Sequence, residues 1–166
     1  MNRRSLIAVL LAVVAMMMTT SAFAAPQGKA TRLQGSWNSS ETSTFSPAPP
    51  PDATAMVVDG KASGIATHLG KYTATFKATV DLACGCSEGD TIRFVASNGD
   101  TLDAVGWGEG RPIAAVPGHH LVTQTYVITG GTGRFDGASG SLVVLRLVNL
   151  ATGVSEGSFT GSLVLD

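Results

Sequence analysis

Three features of the sequence predict an all-β fold, an eight-stranded antiparallel up-and-down barrel. The first is strict alternation over Lys71–Leu82: Tyr72, Ala74, Phe76, Ala78, Val80 and Leu82 share one parity, and Lys71, Thr73, Thr75, Lys77, Thr79 and Asp81 the other. A two-residue period makes a strand with one buried and one wet face; on a helix it would spread apolar residues around the whole surface. The second is punctuation by Gly, Pro and Asn, which divides the chain into eight strand-like segments with no helix-sized amphipathic stretch. The third is the segment Ile128–Val144, with glycines at 130, 131, 133, 137 and 140 between two strand-like runs. Short connections make sequential strands antiparallel neighbours, and closure removes the exposed edges. A β-sandwich is the alternative arrangement of the same strands.

The elements follow in order. Thr31–Phe45 reads as a first strand on Leu33, Gly35 and Trp37. Residues 46–52, Ser-Pro-Ala-Pro-Pro-Pro-Asp, form a stiff loop, because proline removes ladder donors. Its functional alternative is a Pro-rich motif for a partner domain. Thr54–Ser63 is the second strand, and Gly64–Gly70 a turn or bulge. Lys71–Leu82 is the third, followed by a turn, Ala83–Asp90, that holds both cysteines. Thr91–Ala96 resumes the alternation with Ile92 and Phe94. Asn98-Gly99 predicts a type I′ hairpin turn, with Thr101–Gly108 as the returning strand. Gly108–Gly118 is irregular around Pro112 and Pro117. His119–Thr129 sets Val122, Gln124, Tyr126 and Ile128 against Leu121, Thr123 and Val127. Beyond the glycine segment come Ser141–Leu150, a tight turn at Ala151–Gly153 and the last strand, Val154–Leu165.

Ahead of these strands, Arg3 and Arg4 precede an apolar run from Leu6 to Met18 and then Ser21-Ala-Phe-Ala24. This is the pattern of a secretory signal peptide cut after Ala24. Residues 1–24 are therefore read as the signal, 25–30 as a flexible leader and 31–166 as one barrel domain, secreted or periplasmic. The run is short for a spanning helix, and no membrane span is expected after cleavage. The whole sequence carries 11 Lys+Arg against 12 Asp+Glu. Loss of Arg3 and Arg4 leaves nine basic residues against twelve acidic, a balance of −3. No basic patch marks a nucleic-acid partner.

The glycine segment supplies a backbone path between strands. A phosphate cradle would need a helix to follow it, and Ser141–Val148 is β-branched and uncapped. Phe135, the only large apolar residue of the loop, is expected to plug one end of the core, with Arg134 and Asp136 placed to pair beside it. Residues 130–140, Gly-Gly-Thr-Gly-Arg-Phe-Asp-Gly-Ala-Ser-Gly, resemble the Gly-Gly-Thr-Gly-x-Phe segment of plant dirigent proteins and the Gly-Gly-Ser-Gly-x-Phe segment of allene oxide cyclases. Thr67-His-Leu-Gly70 and Ala96-Ser-Asn-Gly-Asp-Thr101 resemble elements of secreted bacterial proteins with an allene-oxide-cyclase-like barrel. The resemblance spans about residues 54–165. It implies the calycin-like eight-stranded barrel of those families and a homo-oligomer packed through outer barrel faces. The second parity of Ser141–Leu150, at Val143, Leu145 and Leu147, is apolar enough for such an interface. No catalytic residue is carried over, since no catalytic motif of the plant families is matched.

The remaining residues outline what the barrel could do. Eight strands enclose a space that just fits side chains or one small ligand. A small hydrophobic molecule in the barrel or at its mouth is the expected partner. Tyr72, Phe76, Phe94 and Tyr126 are candidates for its inner wall, and Trp107, Arg111 and His119, beside Glu109 and His120, for its mouth. The alternatives are an isomerase- or cyclase-like enzyme, as the resemblance implies, and a structural protein with a filled barrel. Asp103 and Arg146 bear on this choice, because an ionisable residue facing inward is costly and functional. Asp103 opposes Leu102 and Ala104 in parity and is expected to face water; Arg146 has apolar residues on both parities, which leaves its direction open. No triad or paired-carboxylate arrangement can be read from spacing. Cys84 and Cys86 can bridge only if Gly85 bends the chain, so a disulfide, free thiols and metal capture all stay open. With His68, His119 and His120 they are weak metal candidates whose spacing matches no strong zinc pattern. No metal or other cofactor is expected.

Overall fold

The computed structural model describes residues 28–165; the segment 1–24 read as a signal peptide and residues 25–27 of the expected leader lie outside the described residues. Eight strands run in order: β1 (Thr31–Ser46), β2 (Ala55–Ala66), β3 (Gly70–Asp81), β4 (Cys86–Val95), β5 (Thr101–Pro112), β6 (His119–Gly131), β7 (Ser139–Asn149) and β8 (Val154–Val164). Each pairs antiparallel with the next, and β8 returns to β1, from Thr31 opposite Leu163 to Ser40 opposite Val154. The sheet therefore closes on itself as a barrel, and the sandwich alternative falls. One end carries the β2–β3, β4–β5 and β6–β7 connections. The other, called the mouth below, carries the β1–β2, β3–β4, β5–β6 and β7–β8 turns.

The alternation of β3 holds through Ala78, with Tyr72, Ala74, Phe76 and Ala78 buried and the threonines and lysines between them exposed; Val80 is half-buried, and Leu82 lies exposed past the end of the strand. Large inward rings are matched by inward glycines on neighbouring strands. A Cβ on Gly60 would lie 2.0 Å from the Phe76 ring, and one on Gly106 would lie 2.8 Å from Tyr126. The empty side-chain positions of β2 and β5 are thus the space into which rings from β3 and β6 fold. Toward the closed end Tyr72, Phe94 and Phe159 pack with ring centroids 5.4 to 5.8 Å apart. Fully buried Leu33, Leu69, Leu102, Phe135 and Leu163 complete this end. These contacts leave it filled.

Several local readings change. β4 begins at Cys86, five residues earlier than the alternation from Thr91 suggests, because its register shifts between Glu88 and Asp90 at Gly89. The shift lets Ser87 and Asp90 both face inward, as residues flanking a bulge can. The Asn98-Gly99 reversal is not type I′, which needs positive φ at both residues; only Gly99 has it, at 90°. The Gly99 amide donates to the Ala96 carbonyl and the Ala96 amide to the Asp100 carbonyl, the longer loop in which a type I turn ends on a left-handed glycine. The glycine segment contains a single 3-10 turn, Gly133–Phe135, that seats Phe135 in the core. Arg134 pairs with Asp100 of the neighbouring hairpin at 3.7 Å rather than with Asp136, and its backbone amide also donates to Asp100.

Gly131 packs where a Cβ would lie 1.9 Å from the Thr101 carbonyl oxygen and 2.9 Å from Phe135 Cβ. Gly131→Val must therefore push the glycine segment off the β4–β5 hairpin. A loss on the order of 3 kcal/mol is expected, within the range of an overpacked core, and thermal unfolding monitored by circular dichroism reads it. An unchanged melting temperature would show that this close approach is not required.

Candidate functional site

The barrel changes character toward its mouth. β7 resolves the direction of Arg146: Leu142, Val144, Arg146 and Val148 face inward, and Val143 and Leu145 face solvent. The guanidinium is buried, with a side chain only 4% exposed. Its Nη1 donates to Glu41 of β1 and to Ser155 of β8, and its Nε donates to Gln124 of β6 at 3.3 Å. Ser155 and Ser39 share a hydrogen bond of 2.6 Å. Gln124 Nε2 in turn donates to Asp90 of β4 at 2.8 Å, and Ser87 Oγ donates to the same carboxylate oxygen at 2.8 Å. Five strands thus contribute to one polar layer. It is not separate from the aromatic core, since the Arg146 guanidinium lies 5.1 Å from the centre of the Phe76 ring, which packs on Trp37 at 5.4 Å. A cation over an aromatic face is attracted by the ring quadrupole.

The layer holds one cation, one carboxylate paired with it and a second carboxyl, Asp90, that shares only neutral donors. Burial raises the Asp90 pKa, against the hydrogen bonds from Gln124 and Ser87 and the charge of Arg146, which lower it. Burial also pushes the Tyr126 phenol upward, reinforced by the charge of Asp90. Asp90 Oδ1, the Tyr126 hydroxyl and the Trp37 indole nitrogen have no hydrogen-bond partner among the described residues.

Above the layer opens a cavity of about 640 Å³. Its floor includes Arg146, Gln124, Ser87 and Glu41, and its walls Met56, Val58, Val80, Val122 and Val148. Phe45, Leu82, Gly85, His120 and Leu150 form the rim. It is an apolar cup with a few convergent polar groups at its base, the usual build of a small-molecule site. A second depression, about 780 Å³, runs over outward residues of β2–β5. Two ion pairs cross it, Lys77 with Asp59 at 3.4 Å and Arg93 with Asp103 at 2.6 Å, and Lys61 also lines it.

The residues singled out from sequence fall in three places. Tyr72 and Phe94 are inside the filled core, where the Tyr72 hydroxyl donates to the Ser36 carbonyl at 2.6 Å. Phe76 and Tyr126 are buried at the level of the polar layer. Trp107, Arg111 and His119 take the outward parity of β5 and β6, and none lines the cavity. His120 and Glu109, their neighbours, do reach it. Asp103 faces solvent in its pair with Arg93. Cys84 and Cys86 are joined as a disulfide, so neither offers a thiolate to a metal. His68 sits in the β2–β3 turn at the end opposite to the cysteines and to His119 and His120. No cluster of three potential metal ligands occurs among the described residues. Glu41, Asp90, Gln124 and the mouth walls were not singled out. Asp90 had a legible signal, since it shares the parity of Ile92 and Phe94.

Comparison with known proteins agrees with the architecture. The structure is similar to that of a pterocarpan synthase dirigent protein, with a TM-score of 0.58 and 18% sequence identity over 89% of this chain and 95% of the other. At that identity the likeness shows the fold, a dirigent-like barrel. No protein-family model and no curated protein matches the sequence.

Two outcomes test the polar layer. Glu41→Ala leaves Arg146 buried without its countercharge and should cost about 3–5 kcal/mol. Glu41→Leu combined with Arg146→Met removes both charges and should recover most of that loss in chemical denaturation; no recovery would show that the pair is not the origin of the cost. The second outcome concerns pH. A carboxyl whose folded pKa is raised stabilises the fold below its unfolded value of about 3.9, and this contribution fades as pH rises toward the folded value. Asp90→Asn, which stays neutral, should therefore gain in melting temperature relative to wild type as pH climbs from about 4 to 8. A difference that stays constant with pH would contradict a raised Asp90.

Proposed function

We propose that this is an exported barrel protein that binds a small hydrophobic molecule at its mouth, with the apolar part against Met56, Val58, Val122 and Val148 and a polar group toward Arg146 and Gln124. The observation that carries the proposal is the cavity itself. It stands over the one buried guanidinium among the described residues, at the end of the barrel that the aromatic core leaves open. The solved neighbour is named as a synthase of a small organic compound, which supports a ligand of that class. Export is supported by the signal-like N-terminal sequence and by the Cys84–Cys86 disulfide, a bond that persists in oxidising compartments.

Binding ranks ahead of an isomerase- or cyclase-like activity for a geometric reason. Asp90 is the buried carboxyl with a raised pKa, but it lies behind Ser87 and Gln124 and is not part of the cavity wall. A general acid must come within hydrogen-bond reach of its substrate, directly or through one water.

The neutral fluorophore N-phenyl-1-naphthylamine provides the test. Saturable enhancement of its fluorescence is expected with the folded protein. Met56→Trp and Val122→Trp, which fill the cup from two strands, should each weaken binding by about tenfold or more, the equivalent of roughly 1.4 kcal/mol. Val127→Thr, on the outer face, should leave it unchanged. Binding that is absent, or indifferent to both tryptophans, would overturn the proposal.

A further inference from the structure

The Cys84–Cys86 bridge spans a single residue, with Cα atoms 5.2 Å apart and Gly85 bent to φ 67°. It does little to hold the fold. The stabilisation that a cross-link derives from closing a loop grows with loop length and is least for a loop this small. Nor does the bond join elements that lack other ties. Asp81 is already opposite Cys86 in the β3–β4 ladder, the Gly85 amide donates to the Asp81 carbonyl at 2.8 Å, and the Gly110 amide donates to the Gly85 carbonyl at 2.8 Å. The turn is fixed by its backbone, and its sulfurs are at the surface: Cys84 is exposed and Cys86 partly so. Exposed disulfides are the ones most open to exchange.

Two features give the site a direction of attack. Cys86 lies on a recess of about 560 Å³, formed with Thr54, Ala55, Thr79, Asp81, Ser87 and Glu88. The Cys86 backbone amide donates to Cys84 Sγ at 3.3 Å. A hydrogen bond to a sulfur that is becoming a thiolate strengthens as charge develops, and a better-stabilised leaving thiolate departs faster. We propose that Cys84–Cys86 is a thiol–disulfide exchange site for small thiols, which enter through the recess beside Cys86.

An incoming thiolate attacks Cys86 Sγ. The Cys84–Cys86 bond breaks, and its electron pair leaves on Cys84 Sγ as a thiolate facing the Cys86 amide. The new bond joins the thiol's sulfur to Cys86. A second equivalent of thiol attacks the sulfur of the first, releasing Cys86 as a thiolate and the small molecule as its own disulfide. Both protein thiolates take up protons from solvent. The net reaction consumes two thiols and one protein disulfide and yields one small disulfide and one protein dithiol, a transfer of two electrons. Asp81 and Glu88 make the recess acidic, so a cationic thiol is favoured over an anionic one.

The test treats the native full-length protein with cysteamine or with 2-mercaptoethanesulfonate, quenches with acid and alkylates free thiols for mass analysis. Several outcomes are expected: both cysteines become labelled without denaturant, the transient adduct maps to Cys86, and the reduced protein melts within about 3 °C of the oxidised one, as a bond of small structural weight requires. Per thiolate, cysteamine should react several-fold faster than the sulfonate at low ionic strength, and Glu88→Gln should narrow that ratio. Reduction only in denaturant, a melting temperature that collapses on reduction, or protein isolated from an oxidising medium with two free thiols would overturn the exchange site. An adduct on Cys84, or equal rates for the two thiols, would overturn the recess as the point of entry.

Discussion

The interior of an eight-stranded barrel is a fixed and nearly filled space, and the organisation of this molecule follows from how that space is divided. Each strand sends every second residue inward, so eight strands supply about as much side chain as the barrel can hold. Here the supply is uneven. The closed end receives Leu33, Tyr72, Phe94, Leu102, Phe135, Phe159 and Leu163, with inward glycines on β2 and β5 making room for the rings next to them. The mouth receives valines, a methionine and polar residues, and residues of its turns, Gly85 and Ala151 to Gly153, stand at the edge of the cavity. One end is packed to the density that sustains a fold, and the other is left concave.

Between the two ends lies the polar layer, and its position explains how a guanidinium survives inside the barrel. Burying an isolated charge is costly, and pairing restores the balance only when the remaining donors are satisfied as well. Glu41, Ser155 and Gln124 answer Arg146 from three strands, and the Phe76 ring covers the guanidinium from β3. Such an arrangement depends on the closed sheet, because β1 and β8 must pair for Glu41 and Ser155 to stand beside β7. The layer is also asymmetric. Its aromatic side belongs to the core, and its other side is the floor of the cavity, where Glu41 and Gln124 line the space together with Arg146.

Much of the fold is legible in the sequence because it rests on local patterns. The period of β3, the turn residues and the glycine segment each report a property of a few consecutive residues. The site is less legible because its members answer to one another across strands. Arg146 lies where both parities of β7 are apolar, since Val143 and Leu145 are exposed, and alternation alone cannot orient it. Glu41 shares the parity of Leu33 and Trp37, but it stands in a run of serines and threonines, Ser39 to Thr44, in which the alternation that marks the inner face fades. Asp90 does follow the parity of Ile92 and Phe94, but Gly89 makes the preceding residues read as a turn. Trp107 and Arg111 flank the long β5–β6 connection, where a loop reading draws them toward the mouth; the extension of β5 to Pro112 instead fixes them on the outward face.

The two ends also separate what resemblance can and cannot convey. The glycine segment and the Asn98-Gly99 hairpin sit together at the closed end, tied by Asp100 and Arg134 and by Thr132 with Thr101. Their requirements are steric, as the close approach of Gly131 to Thr101 shows. The cavity is built at the opposite end, from the mouth turns and from positions on β1 to β7. The likeness at 18% identity accordingly conveys the barrel and nothing about the cavity. The segment that reveals the fold and the cavity over Arg146 therefore stand at opposite ends of the barrel, so the proposed binding site rests on Arg146 and the walls above it and draws nothing from the glycine segment.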